Sequence, residues 1–135
     1  MDRSALQRRR RQVLTVYVIV LLALTLTPGP SLLTHPPAGL DKVAHFLMFA
    51  GLAVLIYWNV PAAPGPSPAP MSIIAASALA GLIELLQAAV PNRTEDVRDF
   101  IAGVVGALVG AGVASLVARL GRSIGSGTRP EGREP

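Results

Sequence analysis

Cysteine is absent from this chain, which excludes disulfides, thiol nucleophiles and cysteine-ligated metals and leaves the redox compartment unmarked. Charge is scarce as well: 15% of the residues are charged against 51% apolar. With a positive mean hydropathy, that leaves too little polar surface to cover a water-soluble globule of 135 residues. Aromatic residues make up only 4%. The net charge of +4 therefore has none of the interleaved aromatic surface that nucleic-acid binding uses, and no nucleic-acid partner is expected. The length leaves no room for a separate soluble catalytic domain.

What the chain does have is four apolar stretches, at Val13 to Thr27, Val43 to Trp58, Met71 to Val90 and Phe100 to Ala118. Crossing a hydrocarbon layer of roughly 30 Å takes about 20 helical residues, and the shorter stretches reach that length with help from flanking residues at the interface. The connections are rich in helix breakers: Pro28-Gly29-Pro30, Pro36-Pro37, a linker from Pro61 to Pro70, and Pro91-Asn92. The expected fold class is all-α, a four-transmembrane-helix bundle over residues 13–118. It is flanked by a basic tail at 1–12 and a basic, disordered tail at 119–135.

Orientation is read from Lys and Arg. Arg3, Arg8 to Arg11, Arg119, Arg122, Arg129 and Arg133 lie at the two ends, leaving Lys42, Arg93 and Arg98 for the rest of the chain. With four spans both ends share a side, and the positive-inside rule makes it the cytoplasm. Asp41, Glu84, Glu95, Asp96 and Asp99 then lie at or near the extracytoplasmic face. A cleaved signal peptide is the competing reading of the first stretch, but Leu24 to Ser31 lacks a small-x-small cleavage site, so a retained helix is expected.

The informative residues are the polar ones inside apolar helices. Asp41 and His45 are one turn apart and share a face, with Lys42 between them. Glu84 and Gln87 also share a face. Glu84 lies seven residues before Pro91, hence roughly 10 Å below the outer end of its helix and inside hydrocarbon. A carboxylate at that depth needs a partner within the bundle. Arg93, Asp96 and Asp99 follow at steps of three and lead into Gly103, Gly106 and Gly110, a small-residue face that lets a neighbouring backbone approach. The expectation is that the fourth helix packs by this face and holds its carboxylates against Glu84 and His45.

Asp41-Lys42-x-x-His45-Phe46, then Glu84-x-x-Gln87, then Arg93 followed by Asp96, Asp99 and a glycine-rich helix, resembles the VanZ-like family of bacterial integral membrane proteins. Leu24 to Pro30 also fits the end of that family's first helix, so the resemblance runs from about Thr25 to about Leu116. It departs at Gly103, where the family often carries Asn. The resemblance implies a cell-envelope role and a link to low-level resistance to the glycopeptide teicoplanin; it supplies no reaction.

Plainer roles exist for each residue. Asp41 and Lys42 can anchor a helix start at the interface, Glu84 and Gln87 can clasp helices together, and the Arg93 trio can form a solvated ion pair and cap. His45, Glu84, Asp96 and Asp99 are donors of metal-binding type, yet no HExxH or similar motif fixes their geometry, so neither a metal nor any other cofactor is assigned. The leading functional expectation is an extracytoplasmic pocket of Asp41, Lys42, His45, Glu84, Gln87, Arg93, Asp96 and Asp99. It would bind a polar headgroup, that of a lipid-linked wall precursor or a glycopeptide-related ligand. The alternative is an intramembrane hydrolase or transferase acting on an envelope lipid, with His45 as base or nucleophile and Glu84 as acid. Proton-coupled transport is disfavoured, because the cytoplasmic halves offer no matching groups and four helices are few without a homo-oligomer.

Overall fold

The structure is a computed structural model that describes residues 2–27, 39–61, 67–90 and 96–126. It contains four helices, α1 (Arg3–Leu26), α2 (Leu40–Asn59), α3 (Ala69–Gln87) and α4 (Val97–Ser126). The sequence expectations for residues 28–38, for 62–66, for Arg93 and Glu95, and for the tail at 127–135 lie outside the described residues.

Each helix begins where local chemistry favours it. Asp2 caps α1 by accepting from the Ser4 N–H at 3.0 Å. Gly39 precedes α2 with φ of 86°, a left-handed conformation that a side chain would strain. At α3, Pro70 occupies the first turn, where no backbone donor is needed. Asp96 opens α4, its Oδ1 accepting from the Arg98 N–H at 2.8 Å.

Three of these helices are long and apolar enough to cross a membrane: Leu40–Asn59, Ala69–Gln87 and Val97–Ile124. Every 18-residue window of α1 contains Arg9, Arg10 and Arg11, so its apolar part is confined to the half after Arg11. The helix ends differ from those of the apolar stretches. The fourth runs past Ala118 through Arg119 and Arg122 to Ser126, so the first part of the expected disordered tail is helical. The third stops at Gln87, with Ala88 to Val90 in a turn.

The core lies among α2, α3 and α4, with Leu21 of α1 packed on it beside Phe49, Leu52, Ala76, Ala80, Ile83, Ala107 and Ala111. Among the described residues α1 touches α2 and α3 but not α4. The tightest approach is between α2 and α4. A Cβ at Gly106 would overlap the Phe46 carbonyl oxygen, and one at Gly110 the Ala50 carbonyl oxygen. These pairings rise together in number along both chains, so α2 and α4 run parallel and α3 returns between them. Their backbones meet where lipid provides no hydrophobic drive and close packing must supply the attraction. Large apolar side chains such as Leu47, Ile74, Leu85, Val113 and Leu116 are exposed on the outer surface, as a lipid-facing surface requires.

The first helix is tied on at three levels. Arg10 Nη1–H donates to the Trp58 carbonyl at 3.3 Å, and Asn59 Nδ2–H donates back to the Arg10 carbonyl at 3.3 Å. Midway, the Tyr17 hydroxyl donates to the Met48 carbonyl at 2.8 Å, in space that a Cβ at Gly51 would occupy. At the far end Gln87 reaches Thr25. The arginines of α1 thus sit beside the C-terminal end of α2, and Arg119 and Arg122 lie at that same end of the bundle because α4 parallels α2.

The glycine contacts give a paired expectation. Gly106→Ala should lower the unfolding free energy of the detergent-solubilised protein by about 1–3 kcal/mol, as overpacking against an immovable carbonyl does. Gly112→Ala, with nothing within 4 Å of its Cβ, should be neutral or gain up to about 1 kcal/mol of helix propensity. Denaturant titration of the two variants against the parent chain provides the comparison.

Candidate functional site

At the end of the bundle opposite the arginine-rich helix ends, the first turns of α2 and α4 meet the last turn of α3. This brings Asp41, Lys42, His45, Glu84, Asp96 and Asp99 together. Two subclusters form, and they differ in kind.

In the outer one the Lys42 ammonium lies 2.8 Å from Asp41 Oδ2, 3.2 Å from Asp96 Oδ2 and 3.3 Å from Asp99 Oδ1. The first two contacts are hydrogen bonds. The third is an ion pair without hydrogen-bond alignment, since Asp99 Oδ1 is buried and accepts none. One ammonium thus serves three carboxylates, and its side chain stays one-third exposed. Asp96, just outside the membrane-spanning segment, is held below the usual carboxylate range, first by the Arg98 N–H and then by Lys42.

The inner subcluster is His45, Glu84 and Asp99. His45 is buried one turn into α2, its ring stacked against Phe49 at 6.3 Å between centroids. Its Nδ1 lies 3.0 Å from the Asp41 carbonyl oxygen. A carbonyl only accepts, so Nδ1 carries the hydrogen, and in the neutral imidazole Nε2 presents a lone pair. Nε2 faces Glu84 Oε1 at 3.7 Å, too far for a hydrogen bond, and neither atom has a hydrogen-bond partner. The other Glu84 oxygen accepts from the Asp96 N–H at 3.3 Å, linking α3 to the start of α4. Asp99 Oδ2 lies 3.9 Å from His45 Nδ1.

Two expectations change. Glu84 sits three residues from the end of α3, about 4.5 Å along the axis and not 10 Å, because the chain leaves the helix before Pro91. Gln87 is buried on the same side of α3 but turns toward α1. Its amide donates to the Thr25 carbonyl at 3.0 Å, so it clasps helices and does not touch His45 or Asp99. Thr25, whose hydroxyl donates to the Leu21 carbonyl at 2.8 Å, was not singled out by the sequence reading. A threonine near the end of an apolar stretch is its only signal in the sequence. Arg93 lies outside the described residues.

Gly103 is filled from the side. A Cβ there would meet Phe49 Cδ2 at 2.9 Å and the Ala80 Cβ at 3.2 Å. The amide often found at this position in the family that the sequence resembles has no space in this packing.

The architecture and the cluster define a small helical membrane protein with a concentrated polar centre at one end of its spans. The VanZ/LLP1 family model matches residues 11–118, and the chain belongs to that family. No curated protein and no solved structure matches the chain.

The depression of Asp96 fixes the sign of an acid effect. A carboxyl whose folded pKa is lowered adds stability above its ordinary value of 3.8, and that contribution is lost as pH falls through the lower folded value. Asp96→Asn should therefore be less stable than the parent at neutral pH and should lose less stability on acidification below that value. Thermal unfolding in detergent across that range measures it, and parallel curves would remove the assignment.

Proposed function

We propose that this VanZ/LLP1-family protein lies in the cell membrane with four spans and both termini in the cytoplasm. Its polar cluster faces the extracytoplasmic side and binds the polar headgroup of an envelope ligand. The observation that carries this reading is the convergence of His45, Glu84, Asp99 and the Lys42 cluster from three helices, at the end opposite the arginines. Structural anchoring alone would not require buried acceptors left without donors. The charge bias of the tails supports the orientation.

The chemistry of the cluster narrows the ligand. Lys42 is already shared among three carboxylates, so the described groups match hydroxyl and ammonium donors of a sugar or peptide moiety. Arg93 is the residue suited to a phosphate or carboxylate, through bidentate contact. A lipid-linked wall precursor carries both kinds of group, and a glycopeptide-related ligand carries sugars and amines. The association with teicoplanin resistance comes from the family resemblance. A hydrolase or transferase acting on an envelope lipid is the second reading, favoured by the His45 tautomer, which leaves Nε2 free to take a proton.

Because the chain has no cysteine, single-cysteine variants report sidedness cleanly. A membrane-impermeant maleimide should label Ala88→Cys and not Ser4→Cys in intact cells; the reverse pattern refutes the orientation. For the ligand, gentle detergent extraction followed by lipid mass spectrometry should find a headgroup-bearing lipid with the wild type and not with Glu84→Ala, both variants being recovered from membranes. Equal retention counts against the headgroup site, and turnover of that lipid by the purified wild type selects the second reading.

A further inference from the structure

We propose that His45, Glu84 and Asp99 form a binding site for one first-row divalent transition-metal ion, with zinc and manganese as the best-matched ions. One donor atom from each of the three lies within 4.8 Å of the other two. Donors around a tetrahedral ion with bonds of about 2.1 Å are spaced about 3.4 Å apart, so the His45 to Glu84 separation of 3.7 Å is already close, and Asp99, within 4.8 Å, would close in as the third donor. Each donor comes from a different helix, Glu84 and Asp99 within one turn of a helix end and His45 in the second turn of α2.

The acceptors themselves carry the inference. His45 is 6% exposed and Glu84 9%. His45 Nε2 and Glu84 Oε1 are buried without a hydrogen-bond partner, whereas Asp99 Oδ1, which also accepts none, is ion-paired with Lys42. Because Nδ1–H is committed to the Asp41 carbonyl, Nε2 directs its lone pair toward a carboxylate oxygen, and two lone pairs facing each other in a dry site repel. A proton on Nε2 would face an oxygen too distant for a good hydrogen bond. A divalent cation satisfies both at once, with an Asp99 oxygen as the third donor. The Nδ1–H to carbonyl bond is also the outer contact that metal-ligating histidines commonly use to fix ring and tautomer.

The neighbouring carboxylate group provides the contrast. Asp41, Asp96 and Asp99 also cluster with metal-ligand spacing, but the Lys42 ammonium sits among them and serves as their cation. No described ammonium or guanidinium reaches Glu84. An imidazole with two carboxylates is a donor set for zinc, manganese or iron(II) more than for magnesium or calcium. Three protein ligands leave a position for water or for a ligand oxygen. The site does not depend on which headgroup, if any, the protein binds.

The test uses the full chain in detergent, stripped with a chelator and then titrated with zinc, manganese and cobalt(II) salts. One ion should bind per chain and raise the melting temperature, and cobalt(II) should give visible bands of nitrogen and oxygen coordination. Glu84→Gln and His45→Gln keep side-chain length, and each should weaken uptake by more than about tenfold, whereas Asp41→Asn, confined to the Lys42 cluster, should keep it. Absence of uptake by folded wild type overturns the site, as does uptake unchanged in both glutamine variants, which would mark adventitious binding. Lipid retention without metal uptake removes this inference and leaves the headgroup reading; metal uptake without lipid does the opposite.

Discussion

The contact on which the rest of the molecule depends is the backbone-to-backbone meeting of α2 and α4 at Gly106 and Gly110. In lipid, helices gain nothing by hiding apolar surface from water, so attraction has to come from close packing over a long seam. A side chain at either glycine would collide with a carbonyl oxygen of α2. With hydrogen there instead, the parallel helices lie close enough for Asp99, at the head of α4, to come within 3.9 Å of the His45 ring. The polar centre is therefore a product of the apolar seam below it. Glu84 completes it because α3 returns between the two and ends at the same level.

Charge is arranged in that centre with unequal compensation. Lys42 meets three carboxylates at the wetter edge, whereas Glu84 and the lone-pair side of His45 face each other without a donor. A buried carboxylate that merely clasped helices would be expected to find a hydrogen on each oxygen, as the Gln87 amide finds the Thr25 carbonyl. Gln87 and Glu84, three residues apart on the same buried side of α3, thus differ in whether the bundle supplies a partner.

Much of this was legible from residue order alone. The apolar stretches marked the helices, and polar residues at helical spacing marked His45, Glu84 and Asp99 as inward-facing. The Gly103, Gly106 and Gly110 stripe marked the contact face of α4. Where α3 ends was not legible, because Ala88, Ala89 and Val90 are compatible with helix and Pro91 looked like the stop. Nor was the partner of Gln87, since sharing a side of α3 with Glu84 does not say which neighbour each residue meets, and Thr25 lies 62 positions away. Arg119 and Arg122 read as tail because of their charge, yet arginine is itself a good helix former, and with Leu120 between them α4 continues beyond the apolar stretch despite Gly121. The first helix was counted as a span from its apolar half, whereas its arginines are part of the same continuous helix and tie it to the far end of α2.

The ring of Phe49 lies where a side chain at position 103 would otherwise project, and the same ring stacks on His45. Positions 49 and 103 therefore share a single allotment of volume, and an amide gained at one must be matched by a smaller residue at the other. Where hydrocarbon fills that allotment, one wall of the imidazole chamber is dry and cannot donate a hydrogen bond. A sequence that divides the space differently would hold a wetter chamber of another shape on the same helical frame, without any change in the ionisable residues.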